Sequence, residues 1–156
     1  MIRFIYTGKY AFIFLVWNLF LAWIPFMVSG LFKGLVNAAK WKQVIVFIAW
    51  ILFFPNALYI VTDLIHLEQE TSVPKWYDAV LLFSSSAIGV IMAFVSLLRI
   101  EKFLAFKFNH RLVEFIVFVI LFLGSFGVYL GRFLRWNSWD IVSNPLGLLS
   151  SIGQRF

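Results

Sequence analysis

The sequence predicts an all-α, polytopic membrane bundle: four transmembrane helices and a short C-terminal interfacial helix in one domain over residues 1–156. Three observations predict it. Four stretches, Tyr10–Phe32, Gln43–Thr62, Ala79–Leu98 and Phe115–Gly131, carry no charged residue over 17 to 23 positions each. A bilayer core is crossed by about 20 apolar residues of helix, so each qualifies as a span. The chain is 63% hydrophobic with twenty phenylalanines and seven tryptophans, well above the roughly 45–50% apolar content of a soluble domain. The connections, Lys33–Lys42, Asp63–Asp78 and Arg99–Glu114, are short enough to make consecutive helices antiparallel neighbours.

The first span (about 10–32) follows only Arg3 and Lys9 and has no small-residue cleavage pattern, which predicts a retained helix rather than a signal peptide. The second (about 43–62) starts after Trp41, a residue suited to the headgroup belt, and contains Pro55-Asn56 near its end. A proline there removes a backbone donor and crowds the Ile51 carbonyl, which Asn18 or a water would then satisfy. The third (about 79–98) opens with Trp76-Tyr77-Asp78 and carries Ser85 and Gly89 four apart. The fourth (about 115–131) carries Gly127 and Gly131 with the same spacing. Such small-xxx-small pairs let backbones meet, predicting contact between the third and fourth helices or a homo-oligomer. At the end, Asn144-Pro145 reads as a helix cap and first turn. Residues 145–156 are too few to cross a bilayer and are expected to lie in the interface.

Composition also excludes. With no cysteine, disulfides, thiolate metal sites and cysteine nucleophiles are absent. The net charge of +6 comes from residues flanking the spans, which anchor helices at lipid headgroups. No glycine-rich phosphate loop and no basic stripe indicates nucleic acid. Localisation follows as the inner (cytoplasmic) cell membrane, multi-pass, with the bilayer as first partner. The side bearing the first and third connections, face A, holds Lys33, Lys40, Lys42, Arg99, Lys102, Lys107 and Arg111. Face B holds Arg3, Lys9, Lys75, Arg132, Arg135 and Arg155. That near balance barely favours face A as cytoplasmic. Face A reads as ordinary anchoring, with His110 a solvated loop residue.

Face B gathers the chemistry. The second span ends in Asp63-Leu64-Ile65-His66-Leu67-Glu68-Gln69-Glu70, the third begins at Tyr77-Asp78, and the fourth ends in Gly131-Arg132-Phe133-Leu134-Arg135-Trp136-Asn137-Ser138-Trp139-Asp140. Beneath them Asn18, Asn56, Ser84 and Ser125 fall in one layer about 9–14 Å deep at ~1.5 Å per residue. Buried polar side chains in lipid turn toward one another, so the layer reads as interhelical glue or as the floor of a polar pocket.

Three chemistries compete for this cluster. Arg132 and Arg135, three apart, suit a phosphate or carboxylate. With Asn137, Asp140, Tyr77, Asn18 and Asn56 they would bind an anionic or lipid-linked molecule, such as a phospholipid or lipid-carrier headgroup. Asp63, His66 and Glu70 share a stripe if the helix is α, and with Asp78 they are candidate ligands for a divalent metal. His66, oriented by Asp63 and near Asp78, is a candidate catalytic acid or base. Ser138 lacks the surroundings of an activated nucleophile. A transporter would show internal repeats and a midplane site, and neither is evident. The sequence leaves open whether the protein is an enzyme, a binding protein or a structural subunit.

Several of these strings also carry a resemblance. Trp17-Asn18-Leu19-Phe20-Leu21-Ala22-Trp23-Ile24-Pro25, Phe54-Pro55-Asn56-Ala57-Leu58-Tyr59-Ile60-Val61-Thr62-Asp63-Leu64-Ile65-His66-Leu67, Trp76-Tyr77-Asp78 and the Gly127–Asp140 string resemble the family called domain of unknown function 1361. The resemblance covers roughly Trp17 to Ile152. It implies a bacterial polytopic membrane protein and marks the same polar residues, but implies no reaction. It also implies a further hydrophobic span beyond the segment at 144–153, so this chain reads as a C-terminally shortened member.

Overall fold

The computed structural model describes residues 14–68 and 74–134, together with Ser143, Asn144, Leu146, Gly147, Ser150 and Gly153. Among the described residues the protein is entirely helical: α1 (Phe14–Leu35), α2 (Lys40–Tyr59), a 3₁₀ helix (Ile60–Glu68), α3 (Lys75–Ala105) and α4 (His110–Phe133). Among these residues four segments are long and apolar enough to cross a membrane, with α2 and most of the 3₁₀ helix forming one span, Lys40–Leu67.

The helices outrun the charge-free windows that predict them. α3 continues from Lys75 through Arg99, Glu101 and Lys102 to Ala105, and the turns between α1 and α2 and between α3 and α4 shrink to four residues each, 36–39 and 106–109. Long basic side chains keep their heads in water while their stems lie on apolar surface, so a charge does not end a membrane helix. Polar side chains finish the ends instead. Asn109 Oδ1 accepts from the Leu112 N–H at 2.9 Å and caps α4. Asn144 Oδ1 accepts from the Gly147 N–H at 3.1 Å, the local bond expected of a cap; the rest of the predicted interfacial segment lies largely outside the described residues.

α1 packs on both α2 and α3, whereas α4 rests chiefly on α2 and touches α3 lightly. The core follows this arrangement. Trp50 and Phe54 on α2 have ring centroids 4.8 Å apart, Phe32 meets Phe103 edge-on at 4.7 Å, and Ala22, Ala57 and Ala93 let the backbones close in. Lipid tails are as apolar as these side chains, so shape fit rather than water exclusion holds the helices together.

Glycines make the tightest contacts, and they act on α2 rather than between α3 and α4 as the spacing suggested. A Cβ on Gly89 of α3 would collide with Ile60 Cγ2 and sit 3.2 Å from the Ala57 carbonyl oxygen. A Cβ on Gly127 of α4 would lie 2.7 Å from Pro55 Cγ. The small residues thus seat two different helices on the same end of α2, and Pro55 is part of the seat.

Face A is more than anchoring. Gln43 is buried, and its Nε2 donates to the Leu35 and Ala38 carbonyls at 2.8 and 2.9 Å, closing the end of α1. Its Oε1 accepts from Lys107 Nζ, which ties the first turn to the third. Arg99 reaches from α3 to α1, where Nη1 donates to the Phe26 carbonyl at 3.0 Å and its guanidinium carbon lies 4.3 Å from the Phe26 ring centroid. His110 opens α4, exposed, with Nε2 3.2 Å from Glu114. Gln43→Ala is expected to lower unfolding stability by about 1–3 kcal/mol, because carbonyls near the α1 terminus lose their donor. Gln43→Glu is not expected to restore it, since a carboxylate can hold Lys107 but cannot donate. Denaturant titration in detergent micelles measures both; wild-type stability in the alanine variant would refute the role.

Candidate functional site

The site begins with the 3₁₀ helix. Nine residues is long for this conformation, in which side chains three apart eclipse one another. Ile60, Asp63 and His66 therefore form a row facing α1 and α3. Ile60 is fully buried, Asp63 is 2% exposed and His66 is half-buried, while Val61 and Ile65 point outward. The stripe predicted from α-helical spacing included Glu70. Glu70 itself lies outside the described residues.

α3 supports the row from one side. Ser86 Oγ donates to the Ile60 carbonyl at 3.2 Å, and Gly89 leaves room for the Ile60 side chain. α1 supports it from the other. Asn18 Nδ2 donates to Asp63 Oδ2 at 2.6 Å, a contact across 45 residues of sequence. A carboxylate this deeply buried persists only when it is hydrogen-bonded and balanced. Burial is the largest electrostatic influence on Asp63, and His66 and Arg132 lie close enough to offset part of it. Arg132 stands in the last turn of α4, half-buried, so all four membrane segments contribute to this end of the bundle. Asp78, in the first turn of α3, is 3% exposed and is the second buried carboxylate there. Its place at a helix N-terminus suits its charge.

His66 has a defined orientation. Its Nδ1–H donates to the Asp63 backbone carbonyl at 3.1 Å and its ring lies 4.9 Å from that of Phe14. A carbonyl only accepts, so the proton of the neutral ring is held at Nδ1 and the lone pair falls on Nε2.

The predicted polar layer survives in part. Asn18 turns inward to Asp63 rather than to the Ile51 carbonyl. Asn56 is half-buried and its Nδ2 donates to Phe53 O at 3.2 Å on its own helix. Ser84 and Ser125 are exposed, and Ser84 Oγ donates to its own Leu81 carbonyl at 3.0 Å. Depth along a helix says nothing of direction. One and two positions on, Ser85 and Ser86 are the buried serines of α3. Ser86 was missed; its signal was its place three before Gly89, on the face that α3 turns to the Ile60 region.

Tyr77 is half-buried at the start of α3, its ring 5.9 Å from the exposed Trp76. Arg135, Asn137 and Asp140 lie outside the described residues. For the metal reading, no group of three His, Asp or Glu side chains comes together among the described residues. Asp63 offers one oxygen to Asn18 and His66 turns Nδ1 to a backbone carbonyl, and Glu70 lies outside the described residues.

A family model described as "Protein of unknown function (DUF1361)" matches residues 17–156. No curated protein matches the chain, and no solved structure does.

Proposed function

The chain belongs to the DUF1361 family of proteins of unknown function, and from that premise we propose that it is a multi-pass membrane protein that binds an anionic or lipid-linked small molecule at face B, with Arg132 as the cationic contact. The observation that carries this reading is the buried Asn18–Asp63 pair with His66 and Arg132 around it. Ionisable groups inside a membrane bundle are costly and mark sites of ligand, ion or proton handling. Glue alone would be served by Asn18 and Ser86, without charge.

Asp63 does not preclude an anion at Arg132. The carboxylate is almost fully buried and takes a bond from Asn18, whereas Arg132 is partly exposed. A guanidinium carries five donors, more than one carboxylate uses, and its planar edge suits phosphate. In this reading Asp63 and Asn18 fix the Arg132 end of α4 against the bundle, and Arg135 and Asn137 extend the contact.

The test is lipid retention by purified protein, read by native mass spectrometry with phosphatidic acid against phosphatidylcholine. Wild type is expected to retain phosphatidic acid preferentially. Arg132→Ala should weaken that retention about tenfold, the size of one charge-assisted hydrogen bond, and Arg132→Lys less. Unchanged retention of every anionic lipid tested in Arg132→Ala would sink the reading.

A further inference from the structure

We propose a second anion site, on face A and independent of the first: an anionic phospholipid of that leaflet, its phosphate held by Arg99 between α3 and α1. Arg99 is half-buried and already fixed in place. Its Nη1 donates to the Phe26 carbonyl at 3.0 Å and to Ser29 Oγ at 3.3 Å, and its guanidinium carbon stands 4.3 Å from the Phe26 ring centroid. Ser29 is buried, and its own hydroxyl donates to the Phe26 carbonyl at 2.7 Å, which leaves its oxygen to accept from Arg99. These contacts use Nη1 alone. Among the described residues Nε and Nη2, which share the adjoining edge, have no partner. A planar pair of N–H groups matches two phosphate oxygens. Gly30 is exposed beside this group, and a Cβ added there would lie 3.8 Å from Nη1, so α1 puts no side chain over the guanidinium at that position.

Height and surroundings decide which anion fits. Arg99 stands twenty-one residues past Asp78, about 32 Å of helix, and the hydrocarbon core is about 30 Å thick. With Asp78 at one boundary, the guanidinium therefore lies at the other, the level of lipid phosphates. Two more cations stand one turn nearer the water: Lys102, three after Arg99 on α3, and Lys33, four after Ser29 on α1, both exposed. Among the described residues none of the three is in an ion pair. Glu101, two residues from Arg99, faces another side of α3. Basic pockets between membrane helices take up anionic headgroups. The choline of phosphatidylcholine would be carried against Lys33 and Lys102, whereas an uncharged glycerol headgroup leaves the phosphate charge unopposed. The α1 contacts have already immobilised the guanidinium, so binding costs little further side-chain freedom.

The test counts phosphatidylglycerol on the purified protein by native mass spectrometry, with phosphatidylcholine as competitor. An Arg132→Ala background removes the face B contact, and there the protein is expected still to retain one phosphatidylglycerol in preference to phosphatidylcholine. Lys102→Glu should weaken that retention about tenfold, because the new carboxylate, three residues on, takes the open edge of Arg99. Gly30→Leu should weaken it to a similar degree by covering the guanidinium; a Cβ at 3.8 Å is ordinary contact, so the fold has room for its start. Lys33→Ala, at an exposed position without a partner among the described residues, should weaken retention about fivefold whatever the other two do to stability. Inorganic phosphate at millimolar concentration should not displace the lipid. Displacement by phosphate, equal retention of phosphatidylcholine, or retention unchanged by Lys33→Ala and Lys102→Glu each overturns the face A lipid site. The two sites fail separately: lipid lost on Arg132→Ala alone reports face B, and the further loss on Lys102→Glu reports face A.

Discussion

Asp63→Leu is expected to be the most damaging single substitution in the described part of the chain. It removes the acceptor of Asn18 and a carboxyl on which Arg132 acts electrostatically, at a position 2% exposed. Breaking one side of a buried charged arrangement costs about 3–5 kcal/mol in soluble proteins. In a membrane the Asn18 bond itself contributes less, about 0.6–2 kcal/mol, because partners exist in the separated state too. The charge imbalance is therefore the larger share, and the variants can separate the two. Asp63→Asn keeps an acceptor for Asn18 but no charge, and should fall between wild type and the leucine variant. Asn18→Leu should cost only about 1 kcal/mol. The measurement is reversible unfolding in mixed micelles, and an order with Asn18→Leu worse than Asp63→Asn would show that hydrogen bonding, not charge, holds this end of the bundle.

Gly89→Val is expected to rank second. Its β-branched side chain would drive into Ile60 Cγ2 and toward the Ala57 carbonyl. Ile60 is fully buried and stiff at χ1, so it cannot yield without moving the 3₁₀ helix. Overpacking of this kind typically costs about 1–3 kcal/mol. Helix propensity pulls the other way, since replacing glycine in a helix gains up to about 1 kcal/mol. The contrast is Gly34→Ala at the end of α1, where an added Cβ meets nothing within 4 Å. That variant should be neutral or slightly stabilised in the same unfolding measurement. The opposite ranking would mean that α3 does not seat against the start of the 3₁₀ helix.

The four crossings were legible because lipid imposes one coarse demand, and unbroken apolar length answers it. The convergence of Asp63, His66 and Arg132 at one end was legible for a related reason: alternating helices put the ends of the second and fourth together. The bond between Asn18 and Asp63 was not, although both were singled out, because span counting fixes height and leaves rotation free. Ser84 in place of Ser86 is the same failure, a turn of about 200° at 100° per residue. The 3₁₀ helix was illegible as well. Its residues, Ile60-Val61-Thr62-Asp63, carry no composition that separates period 3.0 from 3.6, and the choice is made by the packing of Ser86 and Gly89 against Ile60. Face A was read as anchoring since a lysine or arginine beside a span serves that purpose by default. Gln43 and Arg99 show that the same residue types also close backbone ends and bridge helices.

The eclipsed row of Ile60, Asp63 and His66 carries one last geometric result. At about 2.0 Å per residue, rungs three apart stand about 6 Å from one another in a straight file, where an α-helix would wind them around the axis. α2 alone, twenty residues long, already spans about 30 Å, the thickness of the hydrocarbon. The file therefore rises toward the end of the span like a staircase: an aliphatic step, then a carboxylate, then an imidazole, the first two buried and the third half-buried.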